Sequence, residues 1–294
     1  MAQTLLFIVN PRAGRTRSMA PLFEAVAHFG EEGYLVSVRQ TLHPGHATEL
    51  AEAEGGQFDR VVCFGGDGTL NEVVNGLMRL PSPPPLGYIP GGSTNDFAAS
   101  LELSADPLQT ARRITASPGK PLDVGLYNGR PFVYVASFGA FTRVSYSAPQ
   151  SIKNDLGHLA YLLEGVKDLS TLRPYRATVA AGDEVFDGSF LFGAVTNATS
   201  VGGLMKLQKE RVVLDDGLFE LLLIPTPTNA VELQALIRSL VLQDFDGAGV
   251  IFRHVSAVTV ETPEGFPWTL DGEYGSGAEK VEIQTLRQRL TFLL

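Results

Sequence analysis

Short apolar runs alternate with segments of helical periodicity over residues 1–124. The run Leu5–Val9 is followed by an amphipathic stretch near Met19–Gly30, as expected for a strand that leads into a helix. The pattern repeats through the strand-like runs Tyr34–Gln40, Val61–Phe64 and Leu86–Ile89 and the helix-like segments His46–Glu54, Leu70–Leu80 and Leu108–Thr115. Alternating strands and helices indicate a mainly parallel sheet covered on both faces. We therefore predict an α/β domain over residues 1–124.

A different texture begins near Asp123, where strand-length runs are separated by Gly, Asp and Asn. These runs are Phe132–Ser137, Arg176–Ala180, Ser189–Asn197, Leu218–Ile224, Val255–Glu261 and Lys280–Leu286, and the helical exceptions are Leu156–Ser170 and Thr228–Leu242. We predict a β-rich second domain over residues 125–288. The sequence leaves open whether the last strand, Arg289–Leu294, returns to the first domain.

Composition supports a folded chain and excludes several classes of function. Of the 294 residues, 44% are hydrophobic and 19% are charged, which favours two globular domains over disorder. A net charge of −9 argues against nucleic-acid binding and against attachment to membranes through a basic segment. Since no window approaches the roughly 20 apolar residues of a membrane-spanning helix, we expect a cytoplasmic protein. Cys63, alone of its type, can form no disulfide within the chain.

The strongest local motif is the glycine-rich segment from Phe64 to Glu72, which lies where a strand should end and a helix begin. Gly65, Gly66 and Gly68 allow backbone N–H groups to approach a phosphate, and a helix N-terminus adds partial positive charge. Asp67, between two of these glycines, is placed to face Mg²⁺ or a nucleotide. The alternative interpretation is an ordinary tight turn with an Asp-Gly pair.

Two further loops follow strand-like runs. In Ile89-Pro-Gly-Gly-Ser-Thr-Asn-Asp-Phe-Ala98, Gly92, Ser93 and Asn95 suit phosphate or ribose oxygens, although Ser93, Thr94 or Asn95 could simply cap a helix that starts near Asp96. The loop Asn10-Pro-Arg-Ala-Gly-Arg15 offers Arg12 and Arg15 to neutralise phosphate, or it is a solvated loop. The chain has neither a Walker lysine motif nor a complete G-x-G-x-x-G fingerprint. We infer a phosphate-directed site of another type.

Two acidic motifs fall in the second domain. Asp271 and Glu273 are two residues apart, so on a strand both would point to one face. Neighbouring apolar side chains (Phe266, Trp268, Leu270) would then desolvate Glu273 and raise its pKa, as a general base requires. The alternative is plain turn chemistry around Gly272. The segment Val213-Leu-Asp-Asp-Gly-Leu218 is a second acidic turn, which suits either a cation or a hairpin.

Taken together, these motifs resemble the diacylglycerol kinase catalytic family, in particular its soluble bacterial lipid kinases, in order and spacing over nearly the whole chain. The matching segments are Asn10–Arg15, Gly65–Glu72, Pro90–Ala98, Asp215–Leu218 and Asp271–Glu273. The resemblance implies a nucleotide-binding α/β domain of the NAD kinase/diacylglycerol kinase type, a β-sandwich domain, and an active site in the cleft between them. Gly92-Ser93 stands where the family usually has glycine-threonine, and Lys153-Asn-Asp-Leu-Gly157 matches a further segment of open role.

The resemblance also implies roles for individual residues. Glu273 would be the general base, with Asp67 and Asp271 as the other catalytic carboxylates, and Asp67 would serve the Mg²⁺–ATP site. Asp215 and Leu218 would bind a separate structural Mg²⁺. The implied ATP contacts are Asn10, Arg12, Gly14, Arg15, Gly65, Gly66, Gly68, Thr69, Gly92, Ser93, Asn95, Asp96 and Asp123.

The implied activity is Mg²⁺-dependent transfer of the γ-phosphate of ATP to a hydroxyl of diacylglycerol or a related lipid, for example to give phosphatidic acid. A homodimer with transient contact to the membrane surface is expected. The alternatives are a kinase of another alcohol, such as a sphingoid lipid or NAD, and a non-catalytic nucleotide-sensing protein. A hydride-transfer enzyme is disfavoured because the dinucleotide fingerprint is incomplete.

Overall fold

A computed structural model describes residues 2–14, 20–139, 163, 172–201, 205–245, 249–263 and 265–294. Arg15, Lys153 and Gly157 lie outside these residues, as does the predicted helix Leu156–Ser170 apart from Leu163. The chain forms two compact units. The first comprises Met1–Val124, Arg130–Val133 and Arg287–Leu294, and the second comprises Gly125–Gly129 and Tyr134–Leu286.

The first unit is an α/β fold around a parallel sheet, as predicted. Its elements are β1 (Gln3–Val9), α1 (Ala20–Glu31), β2 (Tyr34–Gln40), α2 (His46–Glu54), β3 (Arg60–Gly65), α3 (Asp67–Leu77), β4 (Leu86–Pro90), α4 (Asp96–Ser100), α5 (Pro107–Ala116), β5 (Lys120–Tyr127) and β6 (Arg130–Phe132). The strand order is β2-β1-β3-β4, and Phe292 and Leu293 at the chain's end pair in parallel with β4. The last strand therefore ends in this unit.

Burial explains why these strands are nearly continuous apolar runs. β4 is buried throughout and β3 is buried after its first residue, whereas β2, which lies at the end of the parallel strand order, mixes exposed and buried positions. When both faces of a strand are buried, apolar side chains are favoured at every position, so the polar residues that would alternate on a solvent-facing side are absent. Because all of these strands are parallel, the loops after β1, β2, β3 and β4 leave the sheet at one common rim.

The second unit is built mainly from antiparallel strands. Its elements are β7 (Val135–Gly139), β8 (Tyr175–Ala181), β9 (Glu184–Thr196), β10 (Ser200–Val201), β11 (Met205–Lys206), β12 (Phe219–Pro225), α6 (Ala230–Leu242), β13 (Ile251–Val255), β14 (Ala257–Glu261), β15 (Trp268–Leu270), β16 (Glu273–Gly275) and β17 (Lys280–Leu293). The order β16-β15-β7-β9-β8-β14-β17 forms one path, and β12 pairs with both β9 and β13. The β-rich second half of the prediction is confirmed.

Predicted elements differ from the structure at three places for local reasons. Helix α3 begins at Asp67 instead of Leu70, since the N–H of Leu70 already donates to the carbonyl of Gly66. The run Phe132–Ser137 is divided because Tyr134 turns its N–H toward the Asp271 side chain. Conversely, Lys280–Leu286 and Arg289–Leu294 belong to one continuous strand, β17.

Candidate active site

The carboxyl ends of the parallel strands bring the three predicted loops together at one rim of the first unit. We call it the carboxyl-end rim, and it comprises Asn10, Thr41, Gly65 to Thr69 and Gly91 to Asp96. Asn10 N–H donates to the Phe64 carbonyl at 2.9 Å, and Gly91 N–H donates to the Gly65 carbonyl at 2.7 Å. Backbone hydrogen bonds thus join the loop after β3 to the loops on either side.

The two glycine-rich loops come into backbone contact at Gly66 and Gly92. A Cβ placed on Gly92 would lie 2.6 Å from the Cα of Gly66, well inside normal contact distance, and one placed on Gly91 would meet the ring of Phe64 at 2.5 Å. Glycine is therefore required at Gly92 and Gly91 by the close approach of the loops, independently of any ligand.

Asp67 bridges these loops from the first position of α3. Its Oδ2 accepts the backbone N–H of Asp96 at 3.1 Å, so it holds the start of α4 against the start of α3. The first N–H groups of a helix have no intrahelical acceptor, and the dipole makes this end partially positive. The carboxylate therefore lies beside a surface that suits phosphate.

Asn95 shapes the second loop rather than capping α4 with its side chain. It adopts a left-handed conformation with φ 52, and its Oδ1 accepts the N–H of Gly92 at 2.9 Å while its Nδ2 donates to the Gly92 carbonyl at 2.8 Å. Tyr88 donates its hydroxyl to the same Oδ1 at 3.3 Å. Burial, reinforced by the charge of Asp67, raises the pKa of Tyr88 and keeps this hydroxyl a donor. Ser93 is left exposed beside the loop.

The loop after β1 folds around the Asn10 side chain. Asn10 Nδ2 donates to the Thr69 hydroxyl at 2.9 Å, and Asn10 Oδ1 accepts the N–H of Arg12 at 3.0 Å. The Arg12 side chain is exposed, and Gly14 has a positive φ of 70 that favours glycine. The Asn10 side chain thus links Arg12 to Thr69 of the rim, and all three residues were predicted as ATP contacts.

Two residues of the first unit were given no role of their own in the sequence analysis. Thr41 follows β2 at the same rim, where its N–H donates to the Val9 carbonyl at 2.9 Å. Glu72 caps α2 from α3: Oε1 accepts the N–H of Gly45 at 2.8 Å and Oε2 accepts the N–H of Ala47 at 3.1 Å. A signal existed for Thr41, which directly follows a predicted strand as Asn10 does.

Asp96 and Asp123 are buried carboxylates of this unit. Asp123 Oδ1 accepts the N–H of Gln288 at 2.6 Å and thereby anchors the left-handed residue at which β17 enters the unit. Its described hydrogen bond is thus made to the backbone, so the structure adds an anchoring role to the one implied by the resemblance.

In the second unit, Asp271 and Glu273 do not share a strand face. Asp271 and Gly272, with φ of 49 and 86, form the turn of a hairpin in which Leu270 pairs with Glu273. This is the positive-φ geometry of a type I′ turn, so the turn interpretation was right and the shared face was wrong. The Glu273 side chain is exposed, so the apolar residues Phe266, Trp268 and Leu270 do not bury it within this unit.

The Asp271 carboxylate accepts hydrogen bonds from backbone N–H groups. It is 2% exposed, and Oδ1 accepts the N–H groups of Tyr134 at 2.9 Å and Val135 at 3.0 Å. In return, the N–H of Asp271 donates to the Val135 carbonyl at 2.9 Å. These bonds hold the hairpin turn before Glu273 against the start of β7.

The predicted acidic turn leads directly into β12. Within it, the N–H of Leu218 donates to Asp216 Oδ1 at 2.9 Å, and the positive φ of 88 at Gly217 favours glycine. Glu220, the second residue of β12, is almost fully buried. Burial raises its pKa to about 9. Sequence reasoning missed this residue because it lies inside an apolar strand.

Comparison with known proteins identifies the family. Residues 4–127 match the family model described as "Diacylglycerol kinase catalytic domain". The chain is 36% identical over 270 residues to the "Diacylglycerol kinase" of Bacillus subtilis (strain 168), an alignment that covers 91% of this chain and 89% of that protein. This chain belongs to the diacylglycerol kinase family.

Other relatives align with this chain over similar lengths. The "Diacylglycerol kinase" of Staphylococcus carnosus (strain TM300) is 31% identical over 99% of this chain and 94% of its own length. "Probable lipid kinase YegS-like" of Chromohalobacter salexigens is 34% identical over 88% of this chain and 84% of its own length. A solved structure titled as a diacylglycerol kinase from Bacillus anthracis str. Sterne has a TM-score of 0.75 at 23% identity, over 99% of this chain and 97% of that chain, and it supports the fold.

Proposed function

We propose that this protein is an ATP- and Mg²⁺-dependent lipid kinase that phosphorylates a hydroxyl of diacylglycerol or a related lipid, giving a phospholipid such as phosphatidic acid. The observation that carries the proposal is the carboxyl-end rim, where two glycine loops touch beside the N-terminus of α3 and the Asp67 carboxylate. Membership of the diacylglycerol kinase family supports a lipid acceptor.

The rim would bind ATP through its phosphates. Backbone N–H groups at the start of α3 supply donors, and the exposed side chains of Arg12 and Ser93 add a positive charge and a hydroxyl. The further proposed contacts are Asn10, Gly14, Arg15, Gly65, Gly66, Gly68, Thr69, Gly92, Asn95, Asp96 and Asp123, of which Arg15 lies outside the described residues. Such a cradle needs no Walker lysine.

The residues present fit Mg²⁺ at two places. At the rim, Asp67 offers a carboxylate beside the phosphate cradle, and in the second unit the turn from Asp215 to Leu218 adjoins the buried oxygens of Glu220, which have no described hydrogen-bond partner. When bound at the rim, Mg²⁺ would supply charge neutralisation of the transferring phosphoryl group.

Glu273 is the proposed general base. Its exposed carboxylate takes the proton from the lipid hydroxyl as the hydroxyl oxygen bonds to the γ-phosphorus of ATP, and the bond from that phosphorus to the β-phosphate oxygen breaks to release ADP. Asp271 is better described as a positioning residue, because its carboxylate holds the Glu273 turn through two backbone N–H groups.

A direct assay tests the activity. Radiolabelled ATP is incubated with diacylglycerol dispersed in detergent, with and without Mg²⁺, and labelled phospholipid is measured. Replacing Glu273 by Gln should lower the rate by about 10²–10⁴ if the carboxylate is the base. Glu279→Gln is the matched control, since Glu279 is an exposed glutamate of the same unit. Full turnover by folded Glu273→Gln would eliminate the proposed base.

The relative named as a lipid kinase without a stated substrate motivates a wider acceptor panel. The panel contains diacylglycerol, a sphingoid base and NAD, and ATP binding without transfer to any of them would favour a nucleotide-sensing role instead. Among the described residues, no helix is long and apolar enough to cross a bilayer. We propose a cytoplasmic homodimer that meets its lipid at the membrane surface, which vesicle co-sedimentation and light scattering would test.

A further inference from the structure

Glu220 is a buried carboxylate of the second unit whose oxygens accept no hydrogen bond from the described residues. It lies near the start of β12 with 1% of its surface exposed. Neither Oε1 nor Oε2 has a hydrogen-bond partner among the described residues. A carboxylate without partners is costly to bury, whether it is ionised or protonated, so a missing partner is the simplest explanation.

His254 does not provide that partner. It stands opposite Glu220 on β13, but its Nε2 is 3.9 Å from Glu220 Oε1, which exceeds hydrogen-bond distance. The same Nε2 lies 2.9 Å from the Arg211 carbonyl, to which it must donate. In addition, the His254 side chain is 44% exposed, so water screens any charge it carries.

A further unsatisfied oxygen, on Asn197, lies beside the start of the acidic turn that precedes β12. Asn197 is 1% exposed, and its Oδ1 has no described hydrogen-bond partner. Its Nδ2 donates to the Leu214 carbonyl at 3.4 Å, which places the amide beside the residue that precedes Asp215. At the other end of the turn, Glu220 follows Leu218 by two residues, and it pairs with Thr196, the residue before Asn197, across β12 and β9. Buried oxygens thus border the turn from both ends.

We propose that Glu220 is a ligand, directly or through one coordinated water, of an oxygen-preferring divalent cation held at the turn from Asp215 to Leu218, with the Asn197 amide oxygen as a second internal donor. The donors are carboxylate, amide and backbone oxygens, a set that suits Mg²⁺ or Ca²⁺ and lacks the nitrogen and sulfur ligands preferred by Zn²⁺. A cation would offset the cost of burying the Glu220 carboxylate. This role of Glu220 and Asn197 rests on the Mg²⁺ proposed at that turn and goes beyond the family motif, which names only the turn itself.

Thermal unfolding of the full chain after removal of metal with EDTA, without nucleotide, tests the proposal. Added MgCl₂ or CaCl₂ should raise the unfolding midpoint of the wild type, because a ligand that binds only the folded state stabilises it. Glu220→Gln should lose most of this shift. Glu210→Gln, which changes an exposed glutamate nearby, should keep it.

Binding of Mn²⁺ followed by electron paramagnetic resonance gives a readout independent of stability. We expect Glu220→Gln and Asn197→Ala to weaken Mn²⁺ binding about 10- to 100-fold, as is typical when ligand-supporting groups are removed. If Glu220→Gln folds poorly, Glu220→Asp keeps the charge and should bind with intermediate affinity. Equal Mn²⁺ affinity and equal midpoint shifts in wild type and folded variants would overturn the proposal. Phosphoryl transfer to lipid can succeed or fail independently of that outcome.

Discussion

Replacing Gly92 by Ala tests the contact between the two glycine loops most directly. The new Cβ would lie 2.6 Å from Gly66 Cα and 2.7 Å from Asn95 Oδ1, whereas ordinary contacts are 3.4–4 Å. The loops must therefore separate by roughly 1 Å, and overpacking of this kind costs about 1–3 kcal/mol. Gly92 does not have a positive φ, so the expected effect arises from crowding and not from backbone strain.

The matched control is Gly30→Ala. Gly30 lies in α1 with no atom within 4 Å of an added Cβ, so this change should be neutral or should stabilise the helix by about 0.5–1 kcal/mol. Thermal unfolding measures stability, and fluorescence of a labelled ATP analogue measures nucleotide affinity. We expect Gly92→Ala to lower both and Gly30→Ala to lower neither. Wild-type stability and affinity in Gly92→Ala would refute the claim that the loops are in backbone contact.

Three further predictions follow from individual contacts. Glu72→Ala removes the cap of α2 and should cost about 0.5–2 kcal/mol, with faster hydrogen exchange at the Gly45 and Ala47 amides as the local readout. Asp271→Asn keeps an acceptor and tolerates the left-handed turn, so it should retain more phosphoryl transfer than Asp271→Ala; equal loss in both would contradict positioning through the backbone. The Cys63 thiol, whose pKa is raised by burial, should resist alkylation at pH 8 until the protein is unfolded.

Local patterning was sufficient to predict most of the fold. The strand Tyr34–Gln40 and the helix His46–Glu54 were predicted with the bounds that the structure gives them. Such segments are specified by their own periodicity and by the turn residues that flank them. The start of α3 was placed too late because Asp67-Gly-Thr has the composition of a turn. The helix nevertheless starts there, since the N–H of Leu70 donates to the Gly66 carbonyl, and the Asp67 carboxylate accepts the N–H of Asp96 from α4.

The candidate site was predictable where a motif itself sets the geometry, and not where burial decides it. Glycine loops after successive strands indicate a shared rim because parallel strands must end together. Nothing in the local sequence distinguishes Asp271, which is buried and bonded to backbone, from Glu273, which is exposed two residues later. Glu220 poses the same problem in stronger form, because a charged residue in an apolar strand can face either water or the core. Only the pairing of β12 with both β9 and β13 buries Glu220 in the second unit, and a buried carboxylate needs a hydrogen-bonding or charged partner.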